Sequence, residues 1–588
     1  MKGLSGTVGA DQQRWRLYGF GLSHAGRRLV GYAGRVWSAL ALLRRRSPER
    51  VIIAPQDLRT ADPTEASDIY AGYFSLAGQS IDCRGRSPFE AEAASESWKR
   101  ALASFTWLRH LGAADSALAR ANARALVDDF LVARLDRRGV AASPDIVARR
   151  MLAFLSQSPL VLEGADHAFY RRFMRALARG VRQLGGRIHG DLEGENLLLA
   201  LIALAMAGLC LDNLGRLQRR VTRQLGEELA RQILPDGGHI SRNPQVVVTL
   251  LAELLPLRQV YAARGISPPP QLLGAIDRMM PMLRMFREGE GSLALFNGMG
   301  PTQADLIATL LAYDDTRSRA IRHAPHSGYE RLASADLLLI ADVGPPPPPA
   351  YARRAHAGCL SFEFSAGRSR MIVNCGASRA GSTIPSLAAR STAAHSTVTI
   401  GNISSCQFAG AQTGASPLAR FDRWLGRLLG APIIGGVENV EVKRGTPDAP
   451  VQTLGGAHDG YRKRLGLIHQ RRLRLDGDRG LLDGEDAFIA VEDPPGGLSA
   501  VVRFHLHPLV RTGFAGDGQR VLLLLPDGQA WSFESEYGQV AIEESVFLSG
   551  PDGARRAEQI AVRVDPSEVR LLRWRFSRLE TRFDPAVR

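Results

Sequence analysis

Lysine is almost absent from this chain. Of 74 basic side chains in 588 residues, only Lys2, Lys99, Lys443 and Lys463 are lysines, and the other 70 are arginines. Cysteine is also scarce: Cys83, Cys210, Cys359, Cys375 and Cys406 are scattered, odd in number and without CxxC spacing. That excludes a zinc knot or a disulfide framework and reads as reduced, buried thiols. The longest apolar run, "LLLALIALAMAGLCL" (197–211), is 15 residues, short for a bilayer span and suited to a buried helix. Residues 1–10 lack the apolar core and small-residue cleavage site of a signal peptide. With the thiols, this favours the cytoplasm, the periplasm being the alternative. There is no GxSxG elbow, phosphate loop, HExxH or dinucleotide fingerprint.

What is present is bulk and positive charge. At 45% hydrophobic, the chain can bury more than one core, and its net charge of +15 favours anionic partners. Guanidinium suits carboxylates, because it donates two parallel hydrogen bonds. Nucleic-acid binding lacks a recognition motif or an aromatic-basic platform, so no specific nucleic acid is expected. Residues 1–48 form a basic amphipathic segment: within 14–46, eight arginines are mixed with Trp15, Leu17, Phe20, Leu29, Val36, Trp37 and Leu40. Such a segment either packs on the body or makes peripheral contact with an anionic membrane.

The hydrophobic period then divides the chain. Residues 49–326 read as successive helices; in "SESWKRALASFTWLRHLGA", Trp98, Leu102, Phe105 and Leu108 recur at steps of three to four. Similar patterns predict helices over 115–138, 144–156, 166–184, 195–217, 219–234, 244–264 and 270–287. Residues 327–588 switch to short alternating runs such as "LSFEFSAG", "RMIVNCG" and "AVVRFHLHP", bounded by Gly, Asp-Gly or Pro as in antiparallel hairpins. Helices followed by strands imply two domains, with the cleft between them as the default ligand site.

Four blocks of the β half, "RAHAGCLSFEFSAGRSRMIVNCG", "RSTAAHSTVTIGNIS", "HDGYRKRLGLIHQRRLRL" and "RFHLHP", resemble the heparinase II/III-like family of polysaccharide lyases. In the helical half, "SWKRALASFTWLRHLGA", "GENLLLALIALAMAG" and "LPDGGHISRNP" are similar to the same family. The resemblance implies an N-terminal (α/α) toroid followed by a C-terminal antiparallel β-sandwich, with an acidic polysaccharide across the seam. It also implies β-elimination: a uronate carboxylate is neutralised, its C5 proton is taken by a base, and the C4 oxygen is protonated on leaving.

Carried over residue by residue, the resemblance is uneven. Asn196 is in place, but Leu197 stands where an active relative has histidine, and Val246 and Val247 replace a Tyr-His pair. The His-x-His-x-Asp motif becomes Arg354, His356 and Gly358; a downstream metal-binding Asp becomes Asn374; His395 is retained. The expected catalytic residues are His395, Tyr461, His239 and Asn196. Arg242, Arg354, Asn243 and His356 are the expected substrate ligands. No cofactor is expected; His356, Asn374 and His395 are weak candidates for a structural divalent metal, an amide being a poor ligand. Arg503, His505 and His507 share a strand face and read as a polar ladder. Two functions follow: a polysaccharide lyase, or a non-catalytic acidic-glycan binder on the same fold, favoured by the two valines.

Overall fold

A computed structural model describes residues 15–27, 29, 48–190, 192–314, 318–378, 386–411, 417–446, 449–516 and 520–579. Helices dominate up to residue 312 and take the predicted places: Ala117–Val132, Pro144–Ser156, His167–Arg187, Gly194–Cys210, Gly215–Gln232, Pro244–Ala263 and Pro270–Met285. Local chemistry sets their starts. Ser95 accepts from the Trp98 amide at 3.2 Å to open Glu96–Ser104, and Asp166 accepts from the Phe169 amide at 2.7 Å to open His167–Arg187. Gly194–Cys210 is buried almost throughout, as its uniform apolarity requires. Pro244–Ala263 is also long and apolar enough to span a membrane, but it is mostly buried within the helical domain and carries Glu253 bonded to Arg59.

Three expected helices are shorter than their pattern. The one read through Trp98 and Leu108 breaks at Phe105, at φ +57°, into Glu96–Ser104 and Leu108–Ala113. The one read over 115–138 ends at Val132. The third, read over 195–217, stops at Cys210, because Leu211 leaves the helix to pair with Val51. Asp212 then accepts from the Glu49 amide at 2.7 Å, so a tertiary contact overrides continuing helical periodicity. A hairpin, Tyr73–Leu76 with Gln79–Asp82, also sits inside the helical half.

Besides a two-stranded ribbon of Gln407–Phe408 with Ile433–Gly435, the second half holds two large antiparallel sheets. One runs in the order Val440–Arg444, Val451–His458, Leu467–Asp476, Leu481–Ala490, Leu571–Arg578, Ala530–Ser535, Val521–Leu524 and Arg511–Phe514. The other runs Gln539–Phe547, Arg555–Val564, Ala500–Leu506, Ser369–Val373, Phe362–Ala366, Leu337–Asp342, Tyr329–Ser334 and His323–Ala324, with Val398–Ile400 added beside Ala500–Leu506. Their inner faces share one core, in which Phe362 stacks on Trp574 at 5.8 Å and Phe504 meets Trp574, Phe533 and Phe576. The architecture is a helical toroid followed by a β-sandwich.

The second sheet is covered on both sides, which its alternating sequence does not suggest. Tyr329, Leu338, Ile340 and Val373 belong to the core of the helical domain, so the outer face of this sheet packs on the helices. Glu363, Ser365, Arg370 and Asn374, polar positions that alternation assigns to solvent, are therefore fully or almost fully buried in the seam.

In the N-terminal segment, residues 15–27 are helical. Leu17 is buried among Ala409, Leu425, Leu429 and Ile434, so this helix is packed on the sandwich. Residues 1–14, 28 and 30–47 lie outside the described residues. Opposite it lies Pro417–Leu428, a helix inside the β half that the strand-like pattern does not announce.

Candidate seam site

The seam is built from loops that close against each other. Between the Gly215–Gln232 and Pro244–Ala263 helices, Gly237 sits at φ +88°, and a side chain there would run into the Arg278 carbonyl. The neighbouring Asp236 accepts from the Ser327 amide at 2.7 Å and the His326 amide at 2.8 Å, tying this loop to the start of the sandwich.

Arg242 completes that tie. Its backbone lies at φ +61°. Its guanidinium donates to the carbonyls of Ser327 (2.6 Å), Gly344 (3.0 Å), Pro345 (2.9 Å) and Gly328 (3.0 Å), and to Asp342 Oδ1 (2.5 Å). Burial alone would lower its pKa, but the Asp342 carboxylate outweighs that and holds Arg242 above the ordinary arginine value. Expected as a substrate ligand, Arg242 instead joins the two domains, with its donors taken by the protein.

The network continues to the histidines. Asn297 donates to Asp342 Oδ2 at 3.0 Å and to the Tyr329 hydroxyl at 2.7 Å, and accepts from the His356 amide at 3.2 Å. His395 Nδ1 donates to the Ser391 carbonyl at 2.7 Å, so its Nε2 accepts from His356 Nδ1–H at 2.9 Å. Both imidazoles are buried. Burial lowers the His395 pKa to about 4, and burial with the neighbouring His395 holds His356 well below the ordinary value. His395 is thus a neutral ring with both nitrogens engaged.

The donor set does not fit a metal. Any side chain at Gly358, where a carboxylate would complete the motif, would lie 2.7 Å from the His395 ring. Asn374 donates to Glu363 Oε1 at 3.2 Å and accepts from the Ser396 amide at 3.0 Å, so its amide is used at both ends. Among the described residues no group of three or more His, Cys, Asp or Glu is arranged to hold an ion.

The remaining expected residues separate into two sets. Tyr461 is fully buried in the sandwich core, donating to the Val398 carbonyl at 2.7 Å, and burial pushes its pKa up. His239 is buried, with Nδ1 at 2.7 Å from Ser241 Oγ and Nε2 at 3.0 Å from Gln232 Oε1; burial lowers its pKa to about 3. Neither is placed to exchange a proton with a substrate. Val246 and Val247 are buried in the helical core. His505, between Ser545 Oγ (2.7 Å) and the Ala393 carbonyl (3.0 Å), is a rung of the polar ladder.

Asn196, Asn243 and Arg354 remain open to chemistry. Asn196 lies in the first turn of Gly194–Cys210, half-buried. Asn243 caps Pro244–Ala263, with Oδ1 accepting from the Gln245 amide at 2.8 Å; this fixes the amide's orientation and leaves Nδ2 buried without an acceptor. That Nδ2 would lie 3.2 Å from a Cβ at Gly298, which itself would lie 3.1 Å from Arg354 Cβ. Arg354 is exposed.

Sequence reasoning missed Tyr351. It belongs to the 3₁₀ segment Pro349–Arg354, where positions three apart project from the same side, so Tyr351 and Arg354 share a face. The half-buried Tyr351 ring approaches Gly194 at the start of the Asn196 helix and lies 6.4 Å from the His239 ring. Burial raises its pKa. Arg390 holds the segment by donating to the carbonyls of Ala355 (2.9 Å) and Ala352 (3.0 Å). The aromatic and basic residues of "PAYARRAHAG" were the available signal, masked by the polyproline run before them.

A concavity of about 1200 Å³ lies elsewhere, on the outer face of the first sheet. Three of its arginines are paired with carboxylates: Arg575 with Asp483 at 2.6 Å, Arg474 with Asp483 at 3.0 Å, and Arg573 with Glu485 at 3.1 Å. Such ion pairs compensate part of the charge on that face, and the expected site residues Asn243 and Arg354 converge on the seam instead.

Residues 316–575 match the model of the heparinase II/III-like C-terminal domain. Among solved structures, a heparinase III superposes with a TM-score of 0.66 at 12% identity, covering 93% of this chain and 89% of its own. A heparan sulfate lyase HepC from Pedobacter heparinus gives 0.55 at 14% identity over 94% and 88%. Those identities speak to fold alone. A curated relative, "FtsZ-localized protein C" of Caulobacter vibrioides, is 32% identical over 548 residues, 91% of each chain. By full-length relationship, domain match and fold together, the chain belongs to the heparinase II/III-like family.

Proposed function

We propose that this protein binds a uronate-containing glycan in the seam without cleaving it. The observation that carries this reading is Asn243 Nδ2, a buried donor lacking an acceptor beneath the exposed Arg354. A carboxylate or sugar hydroxyl would supply that acceptor, Arg354 would add the charge-assisted bond, and Tyr351 would give the sugar ring an aromatic wall. The residues expected to move protons are neutral, buried and hydrogen-bonded. The curated relative is named for localisation with FtsZ. Carried to this chain, that localisation favours an adaptor role over bulk polysaccharide degradation.

One observation favours the lyase reading instead: Tyr351 is a phenol against Gly194, two residues before Asn196 on the same helix. Incubation with a panel of uronate polysaccharides, followed by ultraviolet absorbance, separates the two. The expected result is no unsaturated uronate, with glycan binding that Arg354→Ala weakens about tenfold, the worth of one charge-assisted contact. An absorbance rise that Tyr351→Phe abolishes would make the protein a lyase with Tyr351 as its base.

A further inference from the structure

The helix Pro417–Leu428 is turned inside out. Its buried face holds Ala419, Asp422, Leu425 and Gly426, while Leu418, Phe421, Trp424 and Leu428 are exposed, Trp424 by 57%. A helix folding for its own stability would bury Phe421 and Trp424 and expose the aspartate. Here Asp422 is fully buried and accepts from the Tyr18 hydroxyl at 2.7 Å. That bond fixes this helix against residues 15–27. Gly426 permits the same orientation on the sandwich side, since a side chain there would lie 2.4 Å from the Gly410 amide nitrogen.

The exposed aromatics form one patch across both helices. Trp15 meets Tyr18 at 6.5 Å, Tyr18 meets Phe421 at 6.0 Å, and Phe421 meets Trp424 at 5.6 Å. Trp15 and Leu22 extend it, exposed by 74% and 75%. Arg420 and Arg427 are exposed beside it. Onward in sequence, "GRVWSALALLRRRS" (34–47) repeats the same mixture of tryptophan, leucine and arginine.

We infer that this two-helix face docks on an anionic phospholipid surface. Bulky aromatic and leucine side chains flanked by guanidinium groups match a bilayer interface, where apolar groups enter the acyl boundary and arginines meet phosphates. A protein groove would match the apolar stripe but not the arginine excess, which a chain of net charge +15 carries toward any negative surface. The face extends the peripheral contact expected of residues 1–48 to a helix of the sandwich, and it does not depend on what the seam binds.

The test uses the full chain with vesicles of phosphatidylcholine alone or mixed with phosphatidylglycerol. Wild-type protein is expected to sediment with the anionic vesicles only, and its tryptophan emission to be quenched by acyl chains brominated near the interface. Phe421→Ser with Trp424→Ser should lower the bound fraction about tenfold or more. Arg420→Glu with Arg427→Glu should lower it most at low salt. Both variants should keep the wild-type melting temperature and elution volume. Wild-type protein left in the supernatant with both vesicles would overturn the inference, as would undiminished binding by both variants. A wild-type dimer that the serine variant converts to monomer, with no vesicle binding, would make the face a self-association surface instead.

Discussion

At the scale of single residues, His395 shows how environment decides what an imidazole does. Its Nδ1–H is held by the Ser391 carbonyl and its Nε2 by His356, so a proton can add only by breaking a buried hydrogen bond. Burial moves its pKa from 6.5 to about 4, and His239 and His505 to about 3. The unfolded chain therefore takes up protons first as pH falls. The stability from these neutral rings is complete above about pH 6.5 and is lost progressively toward pH 4. Urea unfolding at stepped pH should show that decline. His395→Gln should be less stable at neutral pH, but with a slope in this window shallower by about 1.4 kcal/mol per pH unit.

Elements acquire their roles from what they meet. The short segment Pro349–Arg354 has no core of its own, yet Arg390 and the Asn297 loop fix it over the seam. Tyr351 thereby comes to face the helix bearing Asn196, and Arg354 comes to lie by Gly298 and Asn243. A second junction lies where the chain leaves the Pro270–Met285 helix. Glu288 accepts from Ser365 Oγ at 2.5 Å, while its Oε1 is buried without a partner. Burial first, and the Glu363 carboxylate second, raise its pKa from 4.5 to about 7. A carboxyl raised in the folded state works opposite to the histidines: its contribution is complete below about pH 4.5 and lost as pH rises through 7. Glu288→Gln should be more stable than wild type at pH 8 by about 1–3 kcal/mol and equal to it near pH 5, read by denaturant titration.

For the whole molecule, the seam is a structural joint as much as a cleft. The core of the helical domain runs into Tyr329, Ile340 and Val373 of the sheet, and Arg242 staples the same boundary with its bonds to Asp342 and four carbonyls. Such continuity predicts one calorimetric unfolding transition for both domains. Arg242→Ala should leave the Asp342 carboxylate buried and unpaired, cost about 3–5 kcal/mol and split the endotherm in two. A single, merely shifted transition would mean that the apolar contacts couple the domains without the staple.

Hydrophobic period alone placed the seven long helices, because burial of one face demands a repeat near 3.6 residues wherever the helix later packs. It also placed the switch to strands, while the scatter of the cysteines gave the buried thiols and the quoted blocks pointed to the family. It did not show that Asp212 would end a helix by binding residue 49, nor that Glu363 and Asn374 would turn toward helices instead of water. It gave His395, Tyr461 and Arg242 as chemical groups without their partners. Hydrogen-bond saturation, burial and the sharing of one seam by Asn243, Tyr351 and Arg354 are properties of distances between segments far apart in the chain. Local pattern carries no record of those distances, and only tertiary packing decides them.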